Sequence, residues 1–82
     1  MTNTITNQCR IDSVCEQRGI PKIEVNQPCL VDGKEGVIVN GNSSANFNVK
    51  FAESGMVHNC HPYFKMKILS MDCKEIVFED LD

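Results

Sequence analysis

The sequence predicts a mainly β protein, a small antiparallel barrel of about five strands with a short helix in front. Short β-rich runs recur between polar turns from residue 29 onward, as in "CLVDGKEGVIVNG" and "KEIVFEDLD". One run, "ANFNVKF", alternates Phe47, Val49 and Phe51 with Asn46, Asn48 and Lys50, the pattern of a strand with one buried face. Helical spacing occurs only near the N-terminus. Short strands in series, each needing a partner for its apolar face, favour a barrel. An α+β sheet with the helix packed across one face is the alternative.

Residues 1–7 are polar, alternating Thr with Asn, and are expected to form a flexible terminus whose last residues cap a helix. In "QCRIDSVCEQRG", Ile11, Val14 and Cys15 stand at i, i+3 and i+4, with Arg10, Asp12, Glu16, Gln17 and Arg18 off the stripe. The helix is therefore placed at residues 8–18, ended by Gly19 and by Pro21. At about three turns it is too short to stand alone and must dock. Residues 20–79 are assigned to the barrel. "IPKIEV" reads as an extended lead-in, Cys29 to Val31 and Val37 to Val39 as strands, and "DGKEG" between them as a turn. "AESG" makes another turn, "MVHNCHPYFKMKIL" restarts apolar character around Pro62, and Ile76 to Phe78 form a last strand.

The chain of 82 residues makes one domain, residues 1–82, because halves would fall near the size at which metals or disulfides become necessary. Its single core predicts a stability of roughly 5 kcal/mol and leaves little room for a deep active-site cavity. There is no apolar run of about 20 residues and no charged start with an apolar middle, so the chain reads as soluble and intracellular, with no membrane partner. Five cysteines, Cys9, Cys15, Cys29, Cys60 and Cys73, are odd in number and irregular in spacing. They are read as reduced thiols, mostly buried as small hydrophobes.

The net charge of −3 is unevenly spread. Residues 28–70 set Asp32, Glu35 and Glu53 against Lys34, Lys50, Lys65 and Lys67, whereas the end carries Asp72, Glu75, Glu79, Asp80 and Asp82 against Lys74 alone. A general nucleic-acid binder would show a basic surplus, which is absent. The acidic end can mimic nucleic-acid charge on a basic partner; the favoured reading is a solvated strand that closes a barrel edge.

Between two apolar runs lies "NGNSSAN". Its Asn, Gly and Ser residues are what a turn alone would select. Beside that structural reading stands a functional one, in which Asn42, Ser43, Ser44 and Asn46 present donors and acceptors at the barrel rim. A second segment, "NCHPYFK", supplies Asn59, His61, Pro62 and Tyr63, a mixture of ring faces and polar tips suited to recognition. The candidate binding residues are thus Asn42, Ser43, Ser44, Asn46, Asn59, His61 and Tyr63.

The order "PCLVDGKEGVIVNGNSSANFNVKF" resembles the KOW and SH3-like barrel pattern: a strand, a turn, Gly36 before alternating apolar residues, a loop, and a strand ending in V-x-F. That resemblance implies a close backbone bend at Gly36, with Val37 to Val39 entering the barrel. Together with "NSSANF" and "NCHPYFKM", the run from residue 19 to residue 69 is similar to small uncharacterised proteins of tailed bacteriophages and prophages. It implies an accessory protein in the cytoplasm of a bacterial host, acting by contact with a host or phage protein. The loops of nucleic-acid-binding KOW domains are usually basic, and here no Lys or Arg falls between Lys34 and Lys50.

Three other chemistries are weighed. His58, Cys60 and His61 are zinc-capable, and Cys9, Cys15, Cys29 or Cys73 could complete a tetrahedral set. Adjacent Cys60 and His61 would point to opposite faces of a strand, however, and the plainer reading is a buried Cys60 between solvated histidines. A Cys nucleophile with a His base lacks any local signature, so the chain is read as non-enzymatic, with no cofactor. Phe47, Phe51, Tyr63 and Phe64 could stack bases beside Lys50, Lys65 and Lys67 in a KOW-like nucleic-acid module, but Phe47 and Phe51 sit at the inward phase and only Tyr63 is expected at the surface. The sequence leaves homodimerisation through an exposed edge open.

Overall fold

A computed structural model describes residues 3–80. In chain order they form helix α1 (Asn3–Arg18) and strands β1 (Gln27–Val31), β2 (Lys34–Gly41), β3 (Phe47–Phe51), β4 (Val57–Cys60), β5 (Met66–Leu69) and β6 (Ile76–Glu79). The strands make one antiparallel sheet in the order β4-β3-β2-β1-β5-β6.

The molecule is mainly β as expected, but the sheet has six strands and is not closed into a barrel. Its edges are β4 and β6. After β4 the chain enters a turn in which the Phe64 amide donates to the His61 carbonyl, 3.0 Å, and Pro62 is fully buried. Proline has no N–H to extend a ladder, so β4 stops at four residues and does not pair with β5.

Helix α1 covers one face of the sheet instead. Ile11, Val14 and Cys15 are buried in the core with Ile23, Cys29, Ile38, Phe47, Val49, Met66 and Ile68. The helix lies directly on Gly41: a Cβ there would strike the backbone carbonyl of Arg10 and the Val14 side chain. Gly36 is similar, since a Cβ would come within 2.8 Å of the Lys50 carbonyl and of Val49. Close approach of the neighbouring strand requires glycine there.

The helix begins at Asn3, so residues 3–7, expected to be flexible, belong to it; residues 1 and 2 lie outside the described part. Its end follows expectation. Gly19 takes φ +68°, and the Ile20 amide donates to the Cys15 carbonyl, 2.9 Å, the six-to-one bond of a Schellman cap. Residues 20–26 form no strand and are stapled by side chains. Gln8 accepts from the Val25 amide, 2.9 Å, and donates to the Ile23 carbonyl, 2.7 Å. Buried Gln27 accepts from the Glu24 amide, 2.8 Å, and donates to the Leu69 carbonyl, 2.9 Å.

The β1–β2 connection is tighter than "DGKEG" suggested. Val31 pairs with Lys34, leaving only Asp32 and Gly33 in the turn, at φ +53° and +81°. Two positive φ values are what a type I′ hairpin requires, and Asp-Gly suits it. Lys34 and Glu35 consequently join β2. A register shift between Ile38 and Asn40 puts a bulge in β2, which keeps both Ile38 and Gly41 buried beneath the helix.

Candidate functional site

The β2–β3 loop is organised by Asn42. Its Oδ1 accepts from the amides of Ser44, 3.0 Å, and Asn46, 3.2 Å. Its Nδ2 donates to Asn48 Oδ1 and, across to strand β4, to Asn59 Oδ1, both at 2.9 Å. The backbone closes the same loop, with the Asn42 amide donating to the Asn46 carbonyl, 3.0 Å, and the Ala45 amide to the Asn42 carbonyl, 3.1 Å. These bonds tie the loop to itself and to β4, so the two segments singled out in the sequence lie side by side.

Arg18, from the last turn of α1, completes the cluster. Its Nε donates to the Ala45 carbonyl at 2.9 Å, and its Nη2 reaches the Ser44 carbonyl at 3.4 Å and Asn46 Oδ1 at 3.3 Å. Ala45 sits at φ +59°, a left-handed conformation unusual for alanine, and the Arg18 contact holds its carbonyl. The guanidinium carbon also stands 5.8 Å from the centre of the Tyr63 ring, within cation–π range.

Tyr63 is anchored as well. Its hydroxyl donates to the Arg18 carbonyl, 2.8 Å, taking up one of the acceptors that a helix end leaves unpaired, and its ring faces His61 and Phe78 at 5.7 and 6.0 Å. His61 Nδ1 accepts from the Tyr63 amide, 3.0 Å. Asn42, Asn46 and Tyr63 thus have structural duties. Ser43 and Ser44 are exposed, and their hydroxyls make no hydrogen bond among the described residues; Asn59 and His61 are exposed beside them. The surface offered outward is polar, with Arg18 as its cation.

Arg18 is the residue that sequence reasoning missed. It falls off the apolar stripe and reads as a solvated helix residue. The loop lacks Lys and Arg of its own because its cation comes from 26 to 28 residues upstream, and spacing carries no signal for that. Phe64 is a second correction: it is 59 % exposed, more than Tyr63 at 46 %.

Cys60 is buried between exposed His58 and His61. No group of three His, Cys, Asp or Glu side chains that could hold a metal occurs among the described residues. Cys15, Cys29 and Cys60 are buried, Cys9 and Cys73 exposed, and all are free thiols. Burial pushes the Cys29 thiol up to about 12, with repulsion from Cys60 adding to it; burial also raises Cys15 and Cys60. A thiol so held is protonated at neutral pH and a poor nucleophile.

Comparison with family models, with characterised proteins and with solved structures finds no match to this chain. No helix among the described residues is long and apolar enough to cross a membrane.

Proposed function

We propose that this chain is a non-enzymatic binding protein, an accessory protein of phage or prophage origin that works in the bacterial cytoplasm by contact with a host or phage protein. Its sheet is read as an opened SH3-like arrangement, in which β1 lies between β2 and β5 and the 61–65 turn joins β4 to β5. The contact surface is the 42–46 loop together with Asn59, His61 and Tyr63, extended by Arg18. The observation that supports the reading is the hydrogen bond from Asn42 to Asn59, which joins two polar segments into one rigid surface. A preorganised surface loses little entropy on binding.

The test is affinity capture from bacterial lysate, with and without nuclease, using the parent protein and a Ser44→Arg/His61→Glu variant. Both positions are exposed; because the variant gives up the His61 acceptor of the Tyr63 amide, circular dichroism checks that it keeps its fold while blocking the surface. Retention of one protein at near-equal stoichiometry after nuclease, lost in the variant, supports the reading. Recovery of nucleic acid alone, or of proteins that disappear with nuclease, replaces it with the nucleic-acid module; retention unaltered in the variant removes the surface.

A further inference from the structure

The β1–β2 turn, the β3–β4 turn and Phe64 converge at the opposite end of β4, around an open groove of about 860 Å³. Its walls are Val31, Phe51 and Phe64, with the His58 ring tilted against Phe51 at 5.7 Å between centroids. Phe64, 59 % exposed, leaves a large ring in water, where a partner's apolar surface would be drawn to it.

The rim is charged, and unevenly. Asp32, Glu35 and Glu53 line it together with Lys34. Lys65 stands 3.7 Å from Asp32, whereas Glu35 and Glu53 make no ion pair among the described residues. The groove thus pairs aromatic walls with uncompensated carboxylates. Alongside runs edge strand β4, with Val57, His58 and Asn59 exposed. No charge along the strand opposes addition of another strand to its free edge.

We propose that this groove accepts one Arg or Lys side chain from an extended segment of the partner, laid along β4; the inference rests on the protein-partner reading above. A long cationic side chain has the required duality. Its aliphatic stem packs on Phe51 and Phe64, its head lies close enough to the rings for cation–π attraction, and its donors meet the Glu35 and Glu53 carboxylates. An anionic segment would meet like charge.

The experiment titrates the isotope-labelled protein with an acetylated, amidated peptide, Thr-Val-Arg-Val-Thr, followed by amide NMR shifts. A second peptide carries citrulline for arginine, keeping the shape and removing the charge. Shifts are expected at residues 32–35, 51–58 and 64, with binding weakened about tenfold by citrulline or by Glu35→Gln/Glu53→Gln, and weakened again between about 50 and 500 mM salt. Both glutamates are exposed, so circular dichroism of the variant should match the parent. Equal binding of the two peptides, no effect of the double variant, or no shifts in these segments overturns the proposal. Lysate capture repeated with the double variant separates the two readings. A captured protein whose affinity is unchanged sinks the groove and keeps the partner; a groove that binds the arginine peptide while no protein is captured keeps the groove and sinks the partner.

Discussion

Cys29 shows how far one buried atom can affect the whole stability. Its sulfur lies in the core, and burial pushes the thiol up to about 12. In the unfolded chain the same group ionises near pH 8.5 to 9 (about its ordinary value). Between those limits the folded state binds more protons than the unfolded one, so stability is fully present below about pH 9 and falls as pH rises, by up to about 1.4 kcal/mol per pH unit for one such thiol. Urea unfolding at about pH 8 and about pH 10 should show that loss, and Cys29→Ala should lose measurably less across the same interval. Equal slopes in the two proteins would remove Cys29 as the cause. Cys15 and Cys60, raised by burial in the same direction, leave a residual slope in the variant.

Among the elements, the C-terminal turn of α1 and the β2–β3 loop are fastened by one side chain, and the fastening depends on its shape. The Arg18 guanidinium contacts three acceptors on Ser44, Ala45 and Asn46, which a single ammonium cannot reproduce in one geometry. Arg18→Lys is therefore expected to cost about 1 kcal/mol and to speed amide exchange at residues 43–46, although the charge is kept. Full retention of protection would mean that charge alone suffices. Local elements were legible in the sequence where local rules decide them: Gly19 ends the helix, Phe47 and Val49 face inward, and Asp-Gly makes a turn. Long-range fastenings were not. Nothing in the spacing of "QCRIDSVCEQRG" and "NGNSSAN" joins Arg18 to the loop, and nothing in "IPKIEV" says that Gln8 and Gln27 will take up the hydrogen bonds of the lead-in. The loop and the 59–63 segment were recognisable by composition as candidate site residues; their contact depends on sheet order, which no local pattern fixes.

At the scale of the molecule, an open sheet and a docked helix answer one need. A sheet of this length that closed on itself would bury its inner face against its own far side; here β4 and β5 stay unpaired, and α1 takes that place with Ile11 fully buried and Val14 nearly so. The helix should accordingly belong to the same cooperative unit as the sheet. Ile11→Ala removes buried methyl groups from that contact and is expected to cost about 2 to 4 kcal/mol, against a total of roughly 5 kcal/mol for a domain of this size. Glu16→Ala, on the exposed side of the same helix, should stay within about 0.5 kcal/mol. Urea unfolding followed by circular dichroism distinguishes the two cases. If Ile11→Ala leaves the sheet transition where it was, the helix is an appendage and the covered face of the sheet has another source of stability. If the whole transition moves as one, the helix does the work that barrel closure was expected to do, and the rim surface joined to its last residue is held in place by the same packing.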